Sequence, residues 1–236
     1  MKTQTCQLIL ALDLEQKEQA LALLDQLENS LTWVKVGLQM FTRYGPGILE
    51  EIAERNYKIF LDLKLHDIPN TVASAIKSLS NCPVEMLTLH ASGGSEMISA
   101  AKQARDDSPS EAKLIAVTIL TSFNPELLAQ IGMTTPIPEQ VARLGALSID
   151  SGADGLVCSP HEIATLRENL GTNPLLITPG IRPKGSDTGD QKRIMTPQEA
   201  AELGSSFIVV GRPILKAANP QQAAVNIQKQ LSGLSA

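Results

Sequence analysis

The chain has 236 residues, of which 43% are hydrophobic and 3% aromatic, and its formal net charge is −5. A negatively charged chain with few rings to stack on bases is a poor partner for a polyanion, so we expect no nucleic-acid partner. No apolar run reaches the roughly 18 residues of a membrane-spanning helix, and Met1–Cys6 lacks the features of a secretory signal, so we expect no membrane partner and a cytoplasmic location. The three cysteines, Cys6, Cys82 and Cys158, are widely spaced and odd in number, which predicts reduced packing residues.

Short apolar, β-branched segments recur along the chain, and each is followed by a segment with helical patterning. The predicted strands are Gln7–Asp13, Thr32–Gly37, Lys58–Lys64, Val84–His90, Lys113–Leu120, Gly155–Ser159, Pro174–Thr178 and Ser206–Gly211. The predicted helices are Glu15–Asn29, Gly47–Arg55, Thr71–Ser80, Ser95–Arg105, Glu139–Asp150, His161–Asn169, Pro197–Leu203 and Pro220–Leu231. Alternation of this kind indicates a parallel sheet.

Two parallel architectures share this alternation, an open doubly wound sheet and a closed barrel. No Gly-x-Gly-x-x-Gly turn follows the first strand, and eight repeats are the number that a barrel requires. We therefore predict an α/β protein with the (β/α)8 TIM-barrel fold, in which residues 1–236 form a single catalytic domain.

Polar side chains occur at or near the carboxyl ends of the predicted strands, where such a barrel places its active site. In chain order they are Asp13, Lys35, Asp62, Lys64, His90, Thr121, Arg182 and Arg212, with Gly180 and Gly211 beside the last two. The active site is predicted among these residues.

The segment around Asp62 and Lys64 carries the clearest chemistry. The two residues are two positions apart in one strand, so both side chains face the barrel mouth while Leu61 and Leu63 face the helices, and the same alternation brings Lys35 into the pocket. Ion pairs that close the barrel rim would have the same pattern. However, pairing only partly offsets the desolvation of several charges, which favours a proton-transfer site over a stabilising cluster.

The loops after the seventh and eighth strands have the composition of a phosphate site. Gly211 would let the backbone approach an anion and Arg212 offers a planar fork of donors, although a simple surface arginine would look the same. Gln191 lies late in the long loop 179–196 and could close over the same phosphate. A loop of this length in a compact domain is often a lid. The pattern predicts a phosphorylated small molecule as the substrate.

Metal binding is the weaker reading of the histidines. His66 and His90 could be ligands, but neither belongs to a dense cluster of His, Cys and carboxylates with ligand spacing. Structural or substrate-lining roles are favoured for both, and His161 is expected at the surface. We expect no metal.

Taken in order, these residues resemble the orotidine 5′-phosphate decarboxylase family over nearly the whole chain. The motifs that carry the resemblance are Leu10-Ala11-Leu12-Asp13, Val34-Lys35-Val36-Gly37, Asp62-Leu63-Lys64-Leu65-His66-Asp67-Ile68-Pro69-Asn70-Thr71, Leu120-Thr121-Ser122, Pro179-Gly180-Ile181-Arg182-Pro183, Gly189-Asp190-Gln191 and Val210-Gly211-Arg212-Pro213.

The resemblance implies that the protein converts orotidine 5′-monophosphate to uridine 5′-monophosphate, the last step of pyrimidine nucleotide synthesis, without metal or cofactor. Lys64 would protonate the ring carbon left by CO2, and Asp62 would lie beside the substrate carboxylate. Lys35 would hold these two charged side chains in place and contact the ribose. Asp67 would enter the site of a neighbouring subunit with Thr71 near it, which implies a homodimer.

The resemblance also implies the remaining substrate contacts. Asp13 would bind a ribose hydroxyl and Thr121 the pyrimidine edge. The phosphate would be held by Gln191, Arg212 and the Gly211 backbone, with Arg182 as a further substrate-binding residue.

Two other functions fit parts of the pattern. Related barrels that use Mg2+ on phosphorylated keto-sugars, the 3-keto-gulonate-phosphate decarboxylases and hexulose-phosphate synthases, share Asp-x-Lys-x-x-Asp but resemble one another in having a glutamate where this chain has Lys35. A catalytically dead barrel that serves as a binding module or scaffold is the other possibility. It is disfavoured because the acid, its carboxylate neighbours and the phosphate residues are all present.

Overall fold

Eight parallel strands form a closed barrel in which each strand pairs with the next and β8 pairs with β1. The computed structural model describes residues 6–28, 30–183 and 195–233. The strands are β1 Gln7–Ala11, β2 Trp33–Gly37, β3 Lys58–Leu65, β4 Met86–His90, β5 Lys113–Val117, β6 Gly155–Val157, β7 Leu175–Thr178 and β8 Phe207–Val210. The predicted (β/α)8 barrel is confirmed.

Helices surround the barrel and alternate with its strands. Over the described residues they are α1 Lys17–Gln26, α2 Leu38–Tyr44, α3 Gly47–Ala53, α4 Pro69–Ser78, α5 Gly94–Asp106, α6 Pro125–Gln130, α7 Ile137–Asp150, α8 Ile163–Leu170, α9 Pro197–Glu202, α10 Arg212–Leu215 and α11 Pro220–Leu231. Short 3-10 turns occur at Ala91–Gly93 and Pro160–Glu162. None of the described helices is both long and apolar enough to cross a membrane.

Three short helices, α2, α6 and α10, were not predicted. They have 7, 6 and 4 residues, so each contributes at most about two turns of hydrophobic periodicity. The predicted helix His161–Asn169 is also divided, because its first turn is the 3-10 turn that precedes α8.

Strand residues alternate between two apolar cores. Outward side chains such as Leu10 and Val34 pack against the helices, whereas inward ones such as Ile9 and Phe60 fill the barrel interior. Burying such a side chain fully contributes about 1.5–3 kcal/mol. The polar strand residues considered below share the inward face but lie farther along the strands, toward their carboxyl ends.

The amino-terminal end of the barrel is closed by aromatic side chains. Trp33 and Phe207 meet edge to face with ring centroids 5.2 Å apart. A cleft beside them is lined by Cys6 and Gln7 at the start of β1 and by Leu231 and Ser232 at the end of α11. The first and last described parts of the chain therefore meet at this end.

The pairing of β3 with β4 is irregular around Lys64. Leu61 pairs with Leu87 and Leu65 with Leu89, so four steps along β3 match two along β4. Lys64 takes up the extra length in a left-handed backbone conformation with φ of 51°. The predicted alternation is therefore only partly correct, because a bulge separates Asp62 from Lys64 even though both face the barrel mouth.

Candidate active site

Four charged side chains of alternating sign form a continuous array at the carboxyl ends of β1, β2 and β3. Lys64 Nζ donates to Asp62 Oδ1 at 2.8 Å, and Lys35 Nζ lies 3.6 Å from Asp62 Oδ2. On its other side Lys35 Nζ donates to Asp13 Oδ1 at 3.2 Å. Four residues that were predicted from three separate motifs are thus brought together, with Asp62 and Lys35 at the centre.

The array becomes more exposed toward both ends. The Asp62 and Lys35 side chains are each 13% exposed, compared with 32% for Lys64 and 53% for Asp13. Burial raises the pKa of Asp62, but the ammonium groups of Lys35 and Lys64 and the hydrogen bonds from Lys64 and Thr88 outweigh burial and hold this pKa below its ordinary value. Asp62 is therefore a carboxylate at neutral pH.

Thr88 belongs to this array and was missed by the sequence analysis. It is fully buried on β4, where its Oγ1 donates to Asp62 Oδ1 at 3.0 Å and accepts from the backbone N–H of Lys64 at 2.7 Å. The sequence feature that could have identified Thr88 is the alternation of side chains along a strand. Thr88 lies two residues before His90 in the same strand and therefore shares its face.

A cavity of about 160 Å3 opens beside the charged array. Its charged wall is formed by Lys35, Asp62 and Lys64. The opposite wall is largely apolar and is lined by Phe60, Val117, Ile119, Leu120, Val157, Cys158, Pro179 and Val209, with Thr121 among them. Such a wall lowers the local dielectric constant and strengthens the field of the neighbouring charges. Thr121 thus lies in the cavity wall, and the buried Cys158, expected only to pack, lines the cavity as well.

Asp67 and Thr71 lie outside this cavity. Both are exposed, and Asp67 Oδ1 accepts a hydrogen bond from the neighbouring Ile68 N–H at 2.7 Å. Ile68 is itself 67% exposed. Within one chain these residues do not join the array, and their predicted role at a neighbouring subunit's site stays a prediction.

The predicted phosphate residues are only partly described. Gly211 and Arg212 lie where β8 passes into α10, and the Cβ of any residue replacing Gly211 would come within 3.4 Å of the Ala11 Cβ. Arg182 is buried, with Nη1 donating to the Ile181 carbonyl oxygen at 2.8 Å. Gln191 and most of the predicted loop 179–196 lie outside the described residues.

His66 and His90 form a stacked pair near Lys64. Their ring centroids are 5.3 Å apart with an interplanar angle of 15°, and His90 Nδ1 accepts from the Ser92 N–H at 3.3 Å. Burial, followed by the proximity of His66 and Lys64, lowers the pKa of His90. Across residues 6–28, 30–183 and 195–233, no three His, Cys, Asp or Glu side chains come together as a metal-binding group.

Comparison with known proteins identifies the family. The family model described as "Orotidine 5'-phosphate decarboxylase / HUMPS family" matches residues 6–227. This chain belongs to that family. It is an enzyme.

Relatives and solved structures match over nearly their full lengths. The orotidine 5'-phosphate decarboxylase of Opitutus terrae is 47% identical over 226 residues, which cover 96% of this chain and 98% of the relative, and that of Mannheimia succiniciproducens is 48% identical over 230 residues, covering 97% and 98%. The crystal structure of orotidine 5'-phosphate decarboxylase from Lactobacillus acidophilus has a TM-score of 0.86 at 41% identity and covers 96% of this chain and 99% of its own.

Proposed function

We propose that this protein decarboxylates orotidine 5′-monophosphate to uridine 5′-monophosphate, without metal or cofactor, as the last step of pyrimidine nucleotide synthesis in the cytoplasm. The observation that carries the proposal is the position of the Lys64 ammonium, which lies 2.8 Å from the Asp62 carboxylate beside a largely apolar cavity. Family membership supplies the substrate class.

The array suits a reaction that creates negative charge on carbon. Loss of CO2 leaves a carbanion at C6 of the ring with no electron sink in the substrate, so the site must stabilise the charge electrostatically. The Lys64 ammonium provides a fixed positive charge and then donates a proton to C6, so that a C–H bond replaces the broken C–C bond and Lys64 becomes neutral.

Asp62 and Lys35 have complementary roles in the proposed mechanism. The Asp62 carboxylate lies beside the substrate carboxylate, and the repulsion between them disappears as CO2 leaves, which favours the transition state over the bound substrate. Lys35 bridges Asp13 and Asp62, so it fixes the carboxylates and reaches the ribose.

The remaining substrate contacts follow from the resemblance and from the positions of the residues. Asp13 binds a ribose hydroxyl at the exposed end of the array, and Thr121 contacts the pyrimidine edge from the cavity wall. The phosphate is held by Arg212, the Gly211 backbone and Gln191, with Arg182 as a further contact. Binding of the distant phosphate also contributes to catalysis when that binding energy is used to organise the site.

A homodimer completes the site in this proposal. Asp67 extends from one subunit into the site of the other, and Thr71 lies beside it. Their exposure, their position outside the lining of their own chain's cavity and the exposed Ile68 between them support this assignment.

Lys35 distinguishes this reaction from that of the metal-dependent keto-sugar barrels. Those relatives resemble one another in carrying a metal-site glutamate at this position, and here an ammonium forms ion pairs with Asp13 and Asp62 instead. No observation specifically favours the keto-sugar reaction.

The proposal is tested by mixing the purified protein with orotidine monophosphate in excess EDTA and following the pyrimidine absorbance. We expect turnover by the wild type and none detectable by Lys64→Ala, because the variant lacks both the fixed charge and the proton donor. Orotidine without its phosphate should be a far poorer substrate.

Binding of uridine monophosphate serves as the control for folding, since Lys64→Ala removes none of the residues assigned to the phosphate. The expected result is retained binding with lost chemistry. A wild type that is inert under these conditions would refute the proposed reaction, and substantial turnover by Lys64→Ala would remove Lys64 from its role as the acid.

A further inference from the structure

Three hydrogen bonds connect Lys64, Thr88 and Asp62 in a closed ring. The Lys64 backbone N–H donates to Thr88 Oγ1 at 2.7 Å, Thr88 Oγ1 donates to Asp62 Oδ1 at 3.0 Å, and Lys64 Nζ donates to the same Oδ1 at 2.8 Å. The ring therefore returns to the residue at which it starts.

The direction of each hydrogen bond in this ring is fixed. A backbone N–H and an ammonium can only donate, and the ionised Asp62 can only accept. Thr88 must therefore accept from the Lys64 backbone and use its single proton toward Asp62. No other orientation of the hydroxyl satisfies both neighbours.

Thr88 also lies where the backbone departs from regular strand geometry. Lys64 is left-handed, with φ of 51°, in a segment where the pairing of β3 with β4 shifts register. The Lys64 N–H consequently donates to a side chain on β4. Because Thr88 is fully buried, water cannot replace its hydroxyl in this position without local opening of the structure.

We propose that Thr88 is a positioning residue for the reaction. Its single hydroxyl holds both the Lys64 backbone and the Asp62 carboxylate, so that the Lys64 ammonium is fixed in one orientation. The inference rests on the proposed function of Lys64. A lysine has four rotatable side-chain bonds, and a ring that binds both the backbone and the ammonium removes most of their freedom. Thr88 itself need not contact the substrate, so its contribution belongs to the rate of the chemical step.

The experiment compares Thr88→Val, which keeps the shape and loses the hydroxyl, with Thr88→Ser, which keeps the hydroxyl. For Thr88→Val we expect kcat to fall by about tenfold or more, the size expected for a lost hydrogen bond to a charged group. KM should change much less than kcat, because no substrate contact is removed. Thr88→Ser should recover most of the lost kcat.

Thr118→Val is the matched control. Thr118 is also fully buried, but its Oγ1 donates to the Val157 backbone carbonyl at 3.0 Å and forms no hydrogen bond with the array. We expect this variant to keep the wild-type kcat. If Thr88→Val does not fold, Thr88→Ala against Thr88→Ser makes the same comparison.

Two results would overturn the positioning role: an unchanged kcat in Thr88→Val, whether or not KM rises, or an equal loss of kcat in Thr88→Val and Thr88→Ser. The two proposals fail in distinguishable ways. An inactive wild type defeats the proposed reaction and this inference with it, whereas an active wild type with a full-rate Thr88→Val defeats the inference alone.

Discussion

Lys64 combines an unfavourable backbone conformation with a central place in the charged array. A left-handed conformation costs a residue with a β carbon about 1–2 kcal/mol. Strain of this kind persists only where surrounding contacts determine the conformation, and here the hydrogen bond to Thr88 and the ion pair with Asp62 do so. The placement of the ammonium thus has a cost in stability that the rest of the barrel must offset.

His90 should make the stability of the protein depend on pH. Its pKa is lowered in the folded state, so as pH falls below the ordinary value of about 6.5 the unfolded chain binds the proton first and the folded state loses stability. We expect the free energy of unfolding to fall between pH 7 and pH 5, and to fall less steeply in His90→Gln. Urea denaturation at several pH values measures how the free energy of unfolding changes with pH in the wild type and in His90→Gln. An equal change in the two proteins would contradict the prediction.

Single residues show why the site could be predicted only in part. Asp13, Lys35, Asp62 and Lys64 could be found because charged side chains at strand ends stand out against an apolar pattern. Thr88 could not be singled out because a threonine inside a strand is also what β propensity favours, and only its neighbours in space reveal its hydrogen bonds.

At the scale of elements, strand order was predictable and strand ends were not. The alternation of apolar segments with helices determines the topology, which the closed barrel confirms. β5 ends at Val117 although the apolar run continues to Leu120, because Ile119 and Leu120 line the cavity after the strand has ended. An apolar run does not distinguish a barrel wall from the wall of a binding site.

The turn that follows α3 provides a test of backbone conformation. Asn56 has φ of 63°, and its N–H donates to the Ala53 carbonyl oxygen at 2.8 Å. Asn56→Ala should lower the free energy of unfolding by about 1 kcal/mol, because alanine tolerates the left-handed region less well than asparagine, while Asn56→Gly should match or exceed the wild type.

Asn226→Ala makes the same substitution inside α11 and is the control. Alanine has the highest helix propensity, which offsets the loss of the hydrogen bond that Asn226 Oδ1 accepts from Gln222 Nε2 at 2.8 Å, so this variant should be close to neutral. Chemical denaturation of the three variants and the wild type gives the order of their free energies of unfolding. Equal changes in the free energy of unfolding for Asn56→Ala and Asn226→Ala would show that the left-handed conformation does not determine the effect of the substitution.

At the scale of the whole molecule, the proposed exchange of Asp67 between subunits can be tested by complementation. Lys64→Ala and Asp67→Ala should each be inactive. If each site uses Lys64 from one subunit and Asp67 from the other, a mixed dimer has one intact site, and random exchange restores about a quarter of wild-type turnover. Turnover of orotidine monophosphate after co-refolding of equal amounts is the measurement.

The control mixes two differently tagged preparations of Lys64→Ala, which must stay inactive. If Asp67 serves the site of its own chain, every combination of the two variants lacks one necessary residue, and the mixture stays inactive too. The sequence of one chain could suggest this arrangement only through its resemblance to a family, because in the proposed dimer the group that this exposed carboxylate serves lies on another molecule.

The meeting of Cys6 and Ser232 in one cleft has a practical consequence. Both lie at the amino-terminal end of the barrel, whereas the charged array lies at the carboxyl ends of the strands. An affinity handle or a fused protein joined to the chain at Cys6 or Ser232 would therefore lie on the face opposite the charged array, and immobilised enzyme would keep the array open to solution. The same proximity makes the barrel suited to circular permutation, with a short linker that joins Cys6 to Ser232 and new ends in a surface loop.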